Sequence, residues 1–438
     1  MKFYSTRDRQ KGALYSLKDA AFMGLAPDGG LFMPEIFPQA DMDKVEALAR
    51  DSFASMASYL TGLVFGDDIP QEDLDALVRD AYDFPVPLVE VEPSKYTLQL
   101  FHGPTFAFKD FGGRFMGRAL GWLNRGGQDI IVLTATSGDT GSAVAHGFWK
   151  VPGVKVVVLF PDGKVSDFQQ AQMTSLGENI YPVAVNGCFD DCQRLVKDMF
   201  NDSSLRERVR ITSANSINVL RWIPQSFYYF WGYCKWKEAT RSYKAPDIVV
   251  PSGNWGNITA GMLAWKMGLP VSRFISGSNA NDVVPRFLAG ETYAPCASVR
   301  TVANAMDVGA PSNFERLMDF FGGDEAAVRS SVFGKGFSDG QIMAEIKRLY
   351  DTAGYESDPH SAVGSLTYDA FAAKGFYLST AHSAKFEQVL RQSIGKQPSI
   401  PEEFARIKAL ERKFDRIPSP DARLLSEYIE GQIHVKIQ

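Results

Sequence analysis

The sequence predicts an α/β protein with two parallel-sheet units behind a mostly helical N-terminal unit. The chain has 438 residues, of which 45% are hydrophobic and 22% are charged, an ordinary globular composition. This length exceeds the roughly 250–300 residues at which a single hydrophobic core stops growing. Short apolar runs alternate with helical stretches, and the alternation restarts at Pro246, as in parallel sheets covered on both faces by helices. We therefore expect units at 1–95, 96–245 and 246–438.

The N-terminal unit is assigned mainly from helical periodicity. Apolar residues recur at helical spacing over 41–63 and 71–83. The turn signal Asp-Gly-Gly at 28–30 leads into a short apolar strand at 31–34. We expect this unit to serve mainly for packing.

The two α/β units are assigned from buried strands that alternate with helices. Helices are expected at 111–124, at 256–268 and from Ala384 onward, and the charged tail at 400–438 is expected to be peripheral helix. The strands are short apolar runs bounded by turn signals. They are expected at 96–101, 130–134, 154–160, 180–185, 209–212, 247–251, 273–278 and 375–380.

Charge and cysteine usage argue against several classes of partner. The net charge is −5, whereas proteins that bind nucleic acid usually present a basic face. No apolar run approaches the ~18 residues of a membrane span. The start of the chain lacks the apolar core of a secretory leader, and the four cysteines have no zinc-like spacing. We expect a cytoplasmic protein with free thiols and with no metal, nucleic-acid or membrane partner.

One lysine has an unusual setting. Lys109 lies among four phenylalanines within 101–113, with Gly-Pro before it and Gly-Gly after it. Aromatic surroundings remove solvent from an amine and lower its pKa, and a neutral amine can form a Schiff base with a carbonyl. Lys109 could instead extend along the edge of the core. The adjacent Asp110 would raise the pKa of Lys109 unless its side chain points away.

Three loops at predicted strand ends are rich in small polar residues: 134–142, 252–257 and 379–382. The first combines glycines and hydroxyls at a helix N-terminus, which favours an anionic group. The second offers converging donors for a phosphate but does not match the nucleoside-triphosphatase pattern G-x-x-x-x-G-K-[ST]. In the third, the hydroxyl of Thr380 can contact a ring nitrogen. The alternatives are ordinary helix caps and the end of a strand.

These features together suggest one cofactor. Pyridoxal 5′-phosphate (PLP) has an aldehyde, a phosphate and a ring nitrogen, which match the lysine, the phosphate loop and the strand-end hydroxyl. Two successive α/β units also predict a cleft at the C-terminal ends of their strands, where ligands bind open parallel sheets.

Five segments in register resemble the threonine synthase family, in its longer bacterial and fungal type. The likeness runs from about residue 1 to about residue 390. The segments are 101–110, 136–141, 213–218, 251–257 and 304–308. The resemblance implies a fold-type II PLP enzyme, similar to the tryptophan synthase β subunit. It also implies a carbon–oxygen lyase acting on phosphates, which converts O-phospho-L-homoserine and water to L-threonine and phosphate in the last step of threonine biosynthesis.

The resemblance also implies roles for cofactor-binding residues. Lys109 would form the Schiff base, and Thr380 would face the pyridine nitrogen. Asp139 stands where relatives often have asparagine near the 3′-oxygen of the cofactor, and a carboxylate there would face a phenolate. The residues that would hold the cofactor phosphate are Gly253, Asn254, Trp255, Gly256 and Asn257. Trp255 replaces a phenylalanine common in the family.

The substrate pocket is predicted as a group of polar residues in the segments that the resemblance covers. Segment 213–218 is the strongest candidate. Arg221 is a further candidate, although it could instead be a surface charge on a helix. The complete set is Ser137, Thr140, Lys164, Ser166, Gln169, Asn215, Asn218 and Arg221. The expected partner is O-phospho-L-homoserine, bound by a monomer or a homodimer.

Three alternatives stay open at this point. A threonine or serine dehydratase, or a β-replacement synthase, would use the same fold without a second phosphate pocket. A phospho-lyase would act on phosphohomoserine but release a keto acid. A non-catalytic ligand-binding scaffold would keep the fold, although the presence of Lys109 argues against it.

Overall fold

The computed structural model describes residues 1–136 and 138–433. The first element is a three-stranded antiparallel sheet of order β2-β1-β3, followed by helices. Its strands are β1 Lys2–Ser5, β2 Tyr15–Ser16 and β3 Phe32–Pro34, and the helices of this region are α1 Leu17–Met23, α2 Met42–Asp51, α3 Phe53–Phe65 and α4 Gln71–Ala81.

The single helix expected over 41–63 is two helices. Ser52 interrupts it in an extended conformation, with φ −161°, and its hydroxyl accepts a hydrogen bond from the Ser55 N–H. Serine favours this helix-capping position because its side chain satisfies a free backbone donor. The helix predicted over 71–83 is confirmed as α4.

A five-stranded parallel sheet has the order β14-β8-β7-β6-β9. Its strands are β6 Ile130–Ala135, β7 Val154–Pro161, β8 Ile180–Val185, β9 Arg210–Thr212 and β14 Asp415–Ile417. The helices between Lys109 and Thr240 are α5 Lys109–Leu123, α6 Asp139–Phe148, α7 Asp167–Thr174, α8 Phe189–Asn201, α9 Ser203–Arg208, α10 Val219–Trp222 and α11 Phe227–Thr240, with a 3₁₀ turn at Ile223–Ser226.

A six-stranded sheet has the order β12-β11-β10-β13-β5-β4 and is parallel except for β4. Its strands are β4 Leu88–Glu92, β5 Lys95–Gln99, β10 Asp247–Pro251, β11 Arg273–Ser278, β12 Val332–Gly336 and β13 Gly375–Ser379. The remaining helices are α12 Gly256–Lys266, α13 Val283–Leu288, α14 Phe314–Phe320, α15 Glu325–Ser331, α16 Asp339–Ala353, α17 Pro359–Ala370, α18 Glu387–Ile394, α19 Glu402–Lys408 and α20 Ala422–Gln432, with 3₁₀ turns at Asn304–Met306 and Ser383–Phe386.

The strands do not follow the predicted unit boundaries. Strand β5, expected to open the first α/β unit, pairs with β13, where Leu98 is opposite Leu378. Strand β14 lies in the tail that was expected to be helical, and it pairs with β8 in the five-stranded sheet. Each sheet therefore takes strands from both predicted α/β units. Such pairings depend on contacts distant in sequence, so local patterns do not reveal them, and the division at 96–245 and 246–438 stays a prediction.

Burial on both faces of the five-stranded sheet confirms that helices cover it on both sides. Val132 and Val156 point into the main hydrophobic core. Ile131 and Leu133 point the other way, into a second core that contains residues of α8 and α20. The loops that follow β6, β10 and β13 are those that the sequence marks as polar. Among the helices described, none is both long and apolar enough to cross a lipid bilayer.

Candidate active site

Lys109 is the first residue of α5 and follows a tight turn. Phe106 adopts a left-handed conformation in this turn, with φ 57°. The Phe108 N–H donates to the Thr380 carbonyl oxygen at 2.9 Å, and the His382 N–H donates to the Phe106 carbonyl oxygen at 3.0 Å. These bonds join the lysine turn to the end of β13, so Lys109 and Thr380 belong to one site.

The surroundings of Lys109 change its proton affinity. Burial lowers its pKa to about 8; the Asp139 carboxylate acts in the opposite direction, while the cations of Lys385 and Arg221 lower the pKa further. By surface area Lys109 is nevertheless partly accessible to solvent. A pKa near 8 leaves a sizeable neutral fraction at physiological pH, as a nucleophile requires.

Asp110 turns away from the lysine amine. Its Oδ2 accepts from the Thr105 N–H at 2.9 Å and its Oδ1 accepts from the Thr105 hydroxyl at 2.6 Å. A Cβ atom at Gly103 would overlap this carboxylate, which explains the glycine. Burial raises the pKa of Asp110 to about 6. Asp110 therefore shapes the turn and is not among the charges that act on Lys109.

The loop between β10 and α12 brings backbone donors to one point. Trp255 has a left-handed backbone with φ 61°, and its side chain is buried. A Cβ atom at Gly253 would lie 2.6 Å from Cα of Met306, so only glycine allows this approach. The loop ends at the N-terminus of an 11-residue helix, where free N–H groups favour a phosphate.

Asn257 supplies a donor for which the described residues offer no acceptor. Its Oδ1 accepts from the hydroxyls of Tyr228 and Tyr229, at 2.6 and 2.7 Å, which fixes the orientation of the amide. Its Nδ2 is buried without a partner among the described residues. A buried donor left unpaired is costly, so this geometry fits an anionic group such as the PLP phosphate.

Asn254 has a different position. Its Nδ2 donates to the Ser216 hydroxyl at 2.9 Å, and its Oδ1 accepts from the Ser312 N–H at 2.7 Å. The side chain therefore links the loop after β10 to segment 213–218. Only the backbone N–H of Asn254 is therefore left to bind a cofactor phosphate.

Thr380 lies at the end of β13 with both backbone groups bonded. Its N–H donates to the Ser361 hydroxyl at 3.1 Å, and its carbonyl oxygen accepts from Phe108. The residue is 6% exposed. The side-chain hydroxyl forms no hydrogen bond among the described residues, so it is available to a ligand.

Asp139, the first residue of α6, has a cationic partner that the sequence analysis did not identify. Nζ of Lys385 lies 2.7 Å from its Oδ1, and Gln169 donates to the same oxygen at 2.9 Å. Burial opposes ionisation, but Lys385 and Lys109 hold the pKa of Asp139 far below its usual range. Lys385 also donates to the Thr105 carbonyl oxygen at 2.7 Å. A lysine at the start of a helix resembles a surface charge in sequence, which is why it was missed.

Arg221 is buried, and the alternative of a surface helix charge is wrong. It is 4% exposed, and burial lowers its pKa to about 10. Its Nη1 donates to the Ala214 carbonyl oxygen at 3.2 Å, and no carboxylate of the described residues forms an ion pair with it. Gly112 permits this close packing, because a Cβ there would lie 2.9 Å from Cδ of Arg221.

The other predicted substrate residues have varied positions. Asn218 caps α10 and donates to the carbonyl oxygens of Ala21 and Ser213, so its side chain is occupied. Ser166 caps α7, and exposed Lys164 donates to Gly187.

Two more of these candidates lie closer to the centre of the site. Asn215 is half-buried beside Thr134, with 3.5 Å between their side-chain oxygens. Thr140 follows Asp139 in α6. Ser137 lies outside the described residues.

Arg316 is a second residue that the sequence analysis missed. Its guanidinium donates to the carbonyl oxygens of Ser216 and Ile217, at 2.9 and 2.7 Å, and to Oδ1 of Asn313 at 2.7 Å. It also lies over the Trp222 ring, 4.1 Å from the centroid. Arg316 thereby holds segment 213–218 from a distant part of the chain.

The centre of the site carries an excess of positive charge. Lys109, Lys385 and Arg221 are near enough for their charges to interact. The carboxylates that act on these cations are Asp139 and Asp110, and burial raises the pKa of Asp110 to about 6. Burial strengthens such fields. The site therefore favours anionic ligands.

Comparisons with known proteins agree with this chemistry. The family described as pyridoxal-phosphate dependent enzyme matches residues 86–376. The threonine synthase N terminus matches residues 2–82, and the threonine synthase C-terminal family matches residues 361–429.

Relatives cover nearly the whole chain. Threonine synthase of Escherichia coli (strain K12) is 39% identical over 97% of this chain and 98% of its own, and that of Haemophilus influenzae is equally similar, with the same coverage. The crystal structure of PLP-bound threonine synthase from Brucella melitensis has a TM-score of 0.92 at 33% identity, covering 99% of this chain and 100% of its own. A tomato (Solanum lycopersicum) threonine deaminase, with a TM-score of 0.55 at 15% identity over 82% of this chain and 96% of its own, shares the fold alone. The chain therefore belongs to the threonine synthase family of fold-type II, PLP-dependent enzymes.

Proposed function

We propose that this protein converts O-phospho-L-homoserine and water to L-threonine and phosphate, by γ-elimination followed by addition of water at Cβ. The observation that carries the proposal is the buried guanidinium of Arg221 beside Lys109. It has one hydrogen bond to a backbone carbonyl. The carboxylate whose charge acts on it, Asp110, is hydrogen-bonded to Thr105 rather than to the guanidinium. A dehydratase acting on free serine or threonine needs no such second anion site.

The residues present fit PLP. Lys109 would hold the cofactor covalently through its amine, and Nδ2 of Asn257 with the N–H groups of 253–257 would hold its phosphate. Thr380 would place its hydroxyl at the ring nitrogen, and Asp139 would lie at the 3′-oxygen. When bound, PLP stabilises negative charge on the substrate carbon that bears the amino group.

Lys385 removes the difficulty of a carboxylate beside the 3′-oxygen. Its ammonium contacts Asp139 directly, so the pair is close to neutral. An isolated carboxylate at that position would repel an anionic oxygen at short range. We therefore assign Asp139 and Lys385 together to this end of the cofactor.

Arg221 would bind the substrate phosphate. A guanidinium presents donors in a planar fork that suits two phosphate oxygens, and four of its five N–H groups are free of the Ala214 bond. Segment 213–218, held by Arg316 and Asn254, would supply further donors. Arg221 would still hold the phosphate after it leaves, near the carbon to which water adds.

Lys109 would move the protons. With a pKa of about 8 its amine can accept a proton from Cα and later return one, since a general base works best near the operating pH. Thr380 would present a hydroxyl rather than a carboxylate to the ring nitrogen of bound PLP, which would leave that nitrogen mostly unprotonated.

A cytoplasmic location and a monomeric or homodimeric state complete the proposal. The four cysteines are free in the structure, which suits a reducing compartment. Light scattering of the purified protein distinguishes a monomer from a dimer or a larger assembly.

A substrate panel tests the proposed reaction. Purified protein with PLP is given phosphohomoserine, serine or threonine, and phosphate, amino acids and keto acids are measured. We expect phosphohomoserine to yield phosphate and threonine, and we expect no product from serine or threonine. Phosphate with a keto acid would instead identify a phospho-lyase, and turnover of free serine or threonine without phosphohomoserine activity would identify a dehydratase.

A further inference from the structure

A buried carboxylate outside the groups discussed so far connects several parts of the cofactor site. Asp358 is 1% exposed and caps α17. Its Oδ2 accepts from the His360 N–H at 2.9 Å and from Nδ1 of His360 at 2.7 Å. Its Oδ1 accepts from the Ser361 N–H at 3.2 Å and from the Ser361 hydroxyl. Each oxygen thus holds one backbone donor and one side chain.

The two side-chain contacts exceed what a helix cap needs. A capping aspartate satisfies backbone N–H groups of the first turn. Asp324 at the start of α15 does only this: its Oδ1 accepts from the N–H groups of Ala326 and Ala327. Asp358 additionally orients His360 and Ser361, and both of these side chains continue to the cofactor site.

His360 connects Asp358 to the phosphate end. Its Nε2 accepts from the Ala305 N–H at 3.1 Å, so the network assigns the ring proton to Nδ1, which donates to Asp358. Ala305 lies in the 3₁₀ turn Asn304–Met306. Met306 is the residue whose Cα lies 2.6 Å from a Cβ built on Gly253. His360 therefore fixes the backbone against which the phosphate loop packs.

Ser361 connects Asp358 to the ring end. Because its hydroxyl proton is donated to Asp358, its oxygen accepts from the Thr380 N–H at 3.1 Å. The Thr380 carbonyl oxygen in turn accepts from Phe108, next to Lys109. The position of the Thr380 hydroxyl therefore depends on Ser361.

We propose that Asp358 is a positioning residue that sets both ends of the PLP site, the ring end through Ser361 and the phosphate end through His360. This inference rests on the cofactor placement of the proposed function. Supporting residues of this kind hold a ligand-binding group in its productive geometry. Hydrogen bonds in a buried network also strengthen one another, so loss of the central carboxylate should affect both ends at once.

Variants of each branch test the proposal by cofactor binding, without substrate. Apoprotein is titrated with PLP, and the dissociation constant and the visible absorbance of the bound cofactor are recorded. We expect Ser361→Ala to shift the absorbance band and to weaken PLP binding about tenfold, as loss of one hydrogen bond in a charged network does. His360→Leu should weaken PLP binding about as much with little band shift.

Asp358→Asn should combine both effects, and His360→Gln should restore binding in part because its Oε1 can accept from Ala305. Asp324→Asn, the matched helix cap, should change neither readout. If Ser361→Ala and His360→Leu bind PLP with wild-type affinity and spectrum, Asp358 is only a helix cap and the proposal is wrong. The two single-branch variants decide this even if Asp358→Asn fails to fold. Failure of phosphohomoserine turnover with these binding effects intact would instead contradict the proposed reaction alone.

Discussion

The Lys385 ammonium lies 2.7 Å from the Asp139 carboxylate inside the site, and both groups act on the pKa of Lys109 in opposite directions. Lys385 is buried and is also bonded to the Thr105 carbonyl oxygen. The pKa of the Lys109 amine is therefore set by a pair of charges as well as by burial. Removing either charge would leave the other buried without its ion-pair partner.

Removing either member of this pair should shift the pKa of Lys109 in a defined direction. In Asp139→Asn the pKa should fall, since a nearby anion that stabilises the ammonium is lost. In Lys385→Met it should rise, since a repelling cation is lost. The double variant should lie near the wild type. The measurement is the pH dependence of the rate at which Lys109 in apoprotein reacts with PLP.

Lys237→Met is the matched control, because Lys237 forms an ion pair with Glu46 that does not act on Lys109. Its pH profile should equal that of the wild type. Shifts of the two single variants in the same direction would contradict the assignment of these charges.

Substitution of Arg221 should weaken binding of the substrate much more than binding of the cofactor. Arg221→Met should lower kcat/KM for phosphohomoserine about a hundredfold, which corresponds to losing a bidentate charged contact. The dissociation constant of PLP should change much less, since Arg221 acts on the cofactor end only through the pKa of Lys109. Inhibition by inorganic phosphate should weaken in parallel with kcat/KM. Steady-state kinetics and PLP titration measure these quantities, with exposed Arg406→Met as the control. Equal losses of PLP and substrate affinity would show that Arg221 does not serve the substrate phosphate.

The two tyrosines that bond Asn257 should determine PLP affinity. Tyr228→Phe and Tyr229→Phe each remove one donor to its Oδ1, and the double variant frees the amide to rotate. We expect the double variant to bind PLP at least about tenfold more weakly. Tyr233→Phe, on the same helix α11, is the control and should bind normally. Normal binding by the double variant would mean that the orientation of Asn257 does not matter.

His146 should contribute to acid sensitivity as a packed neutral residue. It lies in α6, and burial lowers its pKa to about 4 from the ordinary 6.5. Because the unfolded chain binds this proton more tightly, the stabilisation is complete above pH 6.5 and is lost as the pH falls toward 4. The free energy of unfolding of the wild type relative to His146→Gln should drop by up to about 3 kcal/mol over that range.

Urea denaturation at several pH values measures this difference. Above about pH 7.5 the imidazole is almost entirely neutral in both states, so the difference between the two proteins should be nearly constant there. A difference that also stays constant down to pH 4 would exclude the assigned role of His146.

Local patterns in the sequence predicted those parts of the site that depend on neighbouring residues. The Lys109 turn, the loop before α12 and the strand ending at Thr380 each combine their signals within a few residues. Lys385, Arg316 and Asp358 could not be found in this way, since each acts through partners far along the chain. The pairing of β5 with β13 was missed for the same reason.

The most direct test compares threonine and phosphate production by wild type and Lys109→Ala, each supplied with PLP and phosphohomoserine. We predict that the wild type forms the two products in equal amounts and that Lys109→Ala forms neither at a measurable rate, although it keeps its fold by circular dichroism. Threonine formation by Lys109→Ala at the wild-type rate would contradict the assigned role of Lys109. Phosphate release by the wild type without threonine would contradict the proposed reaction.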